Sequence, residues 1–183
     1  MSNAMSVLEG AVSTGFVTVR DAGLTGMVSV RADLTDAATV AALASCGISL
    51  PAVRQIVDGV AWMEPDEVLV VTEYADAPAL AQKVQAAMAD THALVHVVSD
   101  ARAVLRVEGA GTKEALAKLC PVDLATLAPG EVRRTRLAQV AAAFWLEDAE
   151  NAQIICFRSV ADYVFGALQM SARKGSEVGV FTR

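Results

Sequence analysis

The chain has 183 residues, of which 54% are apolar and 20% charged, with a net charge of −6. That length and composition describe a globular protein able to bury a sizeable core, and exclude a disordered polyampholyte. The acidic balance, pI near 4.9, repels phosphodiester backbones, so nucleic acid is excluded as a partner, and apolar runs such as VAAAFWL fall far short of the ~20 residues that span a bilayer.

Residues 1–4 (Met-Ser-Asn-Ala) read as an expression remnant before a start at Met5, and residues 5–26 as an N-terminal arm or edge strand. From Met27 the residues MVSVRADL alternate as a strand. TDAATVAALASCG then opens on Thr35 and Asp36 as capping candidates, places Val40, Leu43 and Ala44 on one helical face, and ends at Gly47. ISLPAV forms a corner. GVAWM and EVLVVTEY are predicted strands about an acidic turn, and DAPALAQKVQAAMA a helix with Asp76 as N-cap and Leu80, Val84, Ala87 and Met88 inward.

The same order returns in the second half. AVLRVEG is a strand and TKEALAKLC a short helix entered through Thr112. PVDL is a corner, and RTRLAQVAAAFWLED and AQIICFR are strands about a second acidic turn. SVADYVFGALQM opens as Ser159-x-x-Asp162, a capping-box pattern, with Val160, Tyr163, Val164, Ala167 and Leu168 on its buried face. Cys46 and Trp62 in the first half answer to Cys120 and Trp145 in the second, which signals duplication of a supersecondary unit. The expectation is an α+β fold: β-α-β-β-α halves over residues 27–95 and 96–173, antiparallel sheets with helices on one face, and a C-terminal tail over 174–183.

Chemistry-bearing patterns are sparse. Cys46, Cys120 and Cys156 have neither CxxC nor His-rich spacing, which fits reduced thiols in a cytoplasmic protein. His92 and His96 stand four apart in a strand-forming stretch, where they would share one face without forming a metal site, so no metal ligands are expected. Gly109-x-Gly111 is followed by Glu114 where a dinucleotide fingerprint needs glycine, and reads as a turn leading to Thr112 as a helix cap. Glu64 with Asp66, and Glu147 with Asp148, fall in hairpin turns where solvated carboxylates are common. No catalytic residue is expected. Cys120, at a helix end before Pro121, reads as a small buried hydrophobe. Asp123 either closes an Asx turn or points a carboxylate into a groove, and is the single candidate for cofactor contact.

Together VVSDARAVLRVEG, LAKLCPVDLATLAPGEV, TRLAQVAAAFW and FRSVADYVFGAL resemble the gamma subunit of heterotetrameric sarcosine oxidase, and GMVSVRADLTDAA with WMEPDEVLVV resembles its first half, over residues 16 to 170. That family is similar in turn to the folate-binding domains of the glycine-cleavage aminomethyltransferase. The resemblance implies a non-catalytic subunit beside alpha, beta and delta chains. The complex would demethylate sarcosine oxidatively to glycine, with hydrogen peroxide and formaldehyde or 5,10-methylenetetrahydrofolate as products. FAD, FMN, NAD and zinc would reside on the other chains, tetrahydrofolate would accept the one-carbon unit, and this chain would carry no cofactor. A homodimer is expected where the chain is isolated. The competing reading is a free-standing folate- or pterin-binding protein with Asp123 on the pterin.

Overall fold

The computed structural model describes residues 4–181 and separates into two compact units. Thr25–Asp100 forms one. The segment up to Leu24 together with the chain from Ala101 forms the other. In chain order the elements are β1 (Val12–Thr14), β2 (Thr18–Asp21), β3 (Gly26–Arg31), α1 (Ala37–Ser45), β4 (Ile56–Val57), β5 (Val60–Glu64), β6 (Glu67–Thr72), α2 (Ala77–Ala87) and β7 (Leu94–Val97). They continue with β8 (Arg102–Glu108), α3 (Thr112–Ala117), β9 (Val132–Leu137), β10 (Val140–Leu146), β11 (Asn151–Phe157) and α4 (Ala161–Ser171).

In the Thr25–Asp100 unit the antiparallel sheet runs β4-β5-β6-β3-β7. Period-two alternation sends Val28 and Val30 of β3, Val68 and Val70 of β6 and Val95 of β7 into one cluster, where Leu43 of α1 and Ala77, Ala81, Val84 and Met88 on and just beyond α2 cover them. Asp36 caps α1 as its type predicts, accepting from the Thr39 N–H at 2.9 Å. The α1 face differs from expectation: Thr39 and Leu43 are its buried pair, while Val40 is exposed and Ala44 faces out. In α2 the small Ala77 and Ala81 lie against the sheet, Ala87 is exposed, and Asp76 holds the N-cap position without a side-chain bond.

The other sheet runs β1-β2-β8-β11-β10-β9, again antiparallel throughout. Its core joins Leu105, Leu137, Phe144, Leu146 and Ile154 from the strands to Leu116 of α3 and Val164 and Leu168 of α4. The residues expected as one strand, RTRLAQVAAAFWLED, fold back on themselves as β9 and β10, pairing Leu137 with Val140 across a turn at Ala138 and Gln139. Ala138 adopts φ +51° and donates its N–H to Leu119 O at 2.7 Å. A single strand of that length would have left half of its apolar residues without a cover; the hairpin buries Leu137 and Phe144 together. In α4 the buried side is Ala161, Val164, Leu168 and Ser171, with Tyr163 exposed, because the Arg158–Val160 stretch forms a 3-10 turn that rotates the following helix relative to a capping-box start.

The expected α+β duplication is present, with one strand more per half: β3-α1-β4-β5-β6-α2 and β8-α3-β9-β10-β11-α4 share their element order and their strand order in the sheet. Cys46 and Cys120 lie at the ends of α1 and α3, and Trp62 and Trp145 on β5 and β10. The next sheet position is filled differently. Beside β3 lies β7, which follows its repeat, whereas beside β8 lies β2, which precedes the whole duplication. The N-terminal segment is therefore a hairpin of the sheet that holds the second repeat. It is tied to the end of α4 by Phe16 N–H to Ala172 O at 2.9 Å, and a Cβ at Gly15 would stand 1.8 Å from that carbonyl oxygen.

Candidate functional site

The corner after α3 is built by burial. Leu124 and Leu127 plunge into the core, and the Cys120 side chain, 7% exposed, donates its S–H to Leu116 O at 3.1 Å. Burial pushes the thiol up to about 11, which keeps it protonated and poorly nucleophilic at neutral pH. Asp123 is exposed, and its Oδ1 accepts the Ala125 N–H at 3.0 Å, an Asx turn, while Thr126 bonds the Asp123 carbonyl. The corner's polar groups therefore satisfy one another. They do not converge on a ligand position.

The Gly109–Thr112 turn likewise serves its own helix. Gly111 occupies the N-cap, and Thr112, expected as the cap, is the first helical residue, fully buried, with its hydroxyl donating to Glu150 O at 2.6 Å. The acidic turns are more tightly engaged than free solvation suggests. Arg31 of β3 reaches across the sheet to Glu64 Oε2 at 2.6 Å, Glu67 Oε2 at 2.9 Å and Asp66 Oδ2 at 3.3 Å, and Ser29 donates to the second oxygen of Glu67. In the second half Arg106 holds both oxygens of Glu147, and Asp148 caps its own turn through Asn151 and the Glu150 N–H. Those hydrogen bonds, chiefly the Asn151 amide, hold the Asp148 carboxyl below its usual range.

Beside the Arg31 cluster lies an open cleft of about 550 Å³, lined in part by Asp33, Thr35, Asp66 and His92. Asp33 is committed to the hydroxyl and N–H of Thr35, which lower its carboxyl. His92 lies before β7 while His96 lies on it, so the two imidazoles do not share a strand face. Among the described residues no three His, Cys, Asp or Glu side chains converge as a metal-binding group.

The most developed polar arrangement was not foreseen. Glu114 on α3 is 6% exposed, and its two oxygens accept the N–H groups of Val178 and Gly179 from the C-terminal segment, with Lys118 Nζ at 3.5 Å. Lys118 also donates to Ser171 O and Ser176 O and stands 4.6 Å over the Phe16 ring. The Glu-x-x-x-Lys spacing on a helix was the available signal. Its distant partners were not readable, because backbone amides carry no side-chain signature.

The comparisons agree with the repeat. The family model described as sarcosine oxidase, gamma subunit family, matches residues 31–174. The chain is 31% identical over 147 residues to the sarcosine oxidase subunit gamma of Corynebacterium sp. (strain U-96), covering 76% of this chain and 71% of that protein. Its backbone matches a chain of the heterotetrameric sarcosine oxidase from Corynebacterium sp. U-96 in complex with pyrrole 2-carboxylate, with TM-score 0.79, 28% identity and coverage of 88% and 87%. It also matches the glycine cleavage system aminomethyltransferase T from Bartonella henselae, with TM-score 0.65 at 11% identity, covering 88% of this chain and 48% of that one, which shows a shared fold. The family model spans most of the sequence and the curated relative is 31% identical over 76% of it: the chain belongs to the sarcosine oxidase gamma subunit family.

Proposed function

We propose that the chain is a structural, non-catalytic subunit of a heterotetrameric sarcosine oxidase, assembled with alpha, beta and delta chains in the cytoplasm. The observation that carries this reading is the match of the backbone, at TM-score 0.79 over 88% of the chain, to a chain of a heterotetrameric sarcosine oxidase; the corner, with a buried Cys120 thiol and Asp123 bonded to the Ala125 N–H, accords with a structural role. The reaction assigned to the complex is oxidative demethylation of sarcosine to glycine, with hydrogen peroxide and formaldehyde or 5,10-methylenetetrahydrofolate as products. FAD, FMN, NAD and zinc belong to the other chains in this reading. A tetrahydrofolate contact at Asp123 does not fit: the carboxylate faces solvent and is already hydrogen-bonded within its own turn. The three cysteines are free and buried, which accords with a reducing compartment.

The test is co-expression with the candidate flavoprotein and zinc-protein chains, followed by size-exclusion chromatography and a peroxide assay. The expected result is co-elution of this chain with the flavin absorbance, and a colourless, inactive preparation when it is purified alone. A stable monomer that never co-elutes would overturn the reading. So would peroxide production from sarcosine by the chain alone.

A further inference from the structure

Between the β1–β2 turn and the last turns of α4 runs an open groove of about 420 Å³. Ser13 and Thr14 line one wall; Gln169, Met170, Arg173 and Lys174 line the other. The walls come from opposite ends of the chain, yet the Phe16 N–H to Ala172 O bond and the absence of a Cβ at Gly15 join them at the floor.

The groove's polar groups are donors left over. The hydroxyls of Ser13 and Thr14, the Gln169 amide, the Arg173 guanidinium and the Lys174 ammonium are engaged with no other group among the described residues. Cations after a helix commonly answer the negative end of its dipole. Here four carbonyls at that end are already taken: Leu168 O accepts from Ala172 N–H, Met170 O from Arg173 N–H, Ser171 O from Lys118, and Ala172 O from Phe16. The two cations are thus free to face outward, in a chain whose net charge is −6.

We propose that this groove docks an acidic segment of a partner polypeptide. The lining holds two cations, three neutral polar groups and no carboxylate, which is complementary to Asp and Glu side chains. Met170, 69% exposed, offers the aliphatic stems of such side chains an apolar contact that a bare inorganic anion would not use. The groove is open and, at about 420 Å³, larger than one small anion fills. The inference is independent of the oxidase assignment, since the groove is complete within this chain.

The test is fluorescence anisotropy of a labelled hexaglutamate peptide with the full chain at about 20 mM salt, where exposed charges are weakly screened. Expected are saturable binding that weakens with salt, no binding of hexaglutamine, and a loss of about tenfold or more in R173E/K174E, with R173Q/K174Q falling between. The exposed-charge control Arg54→Glu should bind like the parent, and circular dichroism should show all variants folded. The proposal is overturned if hexaglutamate fails to bind, if Arg54→Glu weakens binding as much as the groove variants, or if inorganic phosphate competes as strongly as the unlabelled peptide, which would make the groove a small-anion site.

Discussion

A carboxylate buried to 6% exposure needs more than one partner, and Glu114 has three: the N–H groups of Val178 and Gly179 and the ammonium of Lys118. The Val178 hydrogen bond is the largest influence on its carboxyl, and together with the Gly179 bond and Lys118 it outweighs burial, so the group sits below its ordinary value of 4.5. A folded-state value below the unfolded one means the stabilisation is complete above the ordinary value and disappears as the pH falls through the folded one. The protection of amides in residues 176–181, their exchange compared with the intrinsic rate at the same pH, should therefore be high at neutral pH and fall in acid. Glu114→Gln should produce the same loss of protection at pH 7 and lower unfolding stability by about 1–2 kcal/mol, the scale of a lost charge-assisted hydrogen bond. Unchanged exchange in that variant would show that the tail is held by other contacts, such as Phe181 against the core. Cys120 carries the opposite sign. With its thiol pushed from 9.0 to about 11 by burial, its share of stability is whole below pH 9 and is lost as the pH rises through the folded value, because the unfolded chain ionises first. Folded protein at pH 8 should resist iodoacetamide at Cys120 and become reactive in urea, and Cys120→Ala should cost about 1–3 kcal/mol as a buried truncation.

At the scale of elements, the turn between β9 and β10 holds Ala138 at φ +51°, a left-handed conformation that costs an L-residue about 1 kcal/mol relative to glycine. Ala138→Gly should raise stability by up to about 1 kcal/mol in urea titration, with the Leu119 carbonyl contact kept because it uses the backbone N–H. A destabilised variant would mean that the alanine methyl contributes packing or chain stiffness that outweighs the relief. This turn also shows why the sequence misled at one point: Ala-Gln has none of the Asn-Gly or Asp-Gly chemistry that marks a hairpin, so β9 and β10 read as one strand. The missed β4–β5 hairpin was readable, since Asp58-Gly59 is such a pair and both residues adopt positive φ, +49° and +77°. The strong alternations of β3, β8 and β11 were legible because both sheets bury one face of them against helices. Helix faces were less so. Val40 and Tyr163 satisfy helical spacing but lie exposed, since the rotation of a short helix is set by what it packs on rather than by its own periodicity. At the corner the residue types alone gave Cys120 a buried role, while the use of Asp123 needed its distance to Ala125.

At the scale of the whole molecule, two copies of one β-α-β-β-β-α plan form two antiparallel sheets, each with its own helix-covered core, so the interior of each unit does not demand a partner. The surface is different. Phe157, Tyr163, Met170, Val178 and Val180 of one unit and Val53, Val57, Leu94 and Val97 of the other are each more than two-fifths exposed, and these are side chains a partner would cover. The structure matched at TM-score 0.79 is that of a heterotetramer, and stable assemblies of that kind commonly bury about 2,000 Å² or more in total. Binding that favours the folded state raises apparent stability by mass action, so contact with partner chains should protect this chain from global unfolding. Thermolysin challenge across a temperature series gives the measurement: the chain in the co-purified complex should survive at temperatures where the same chain alone, at matched concentration, is cleaved. If both preparations lose it at the same temperature, the exposed residues contribute little to assembly. If the chain alone is the more resistant only at high concentration, a homodimer is covering the same surface.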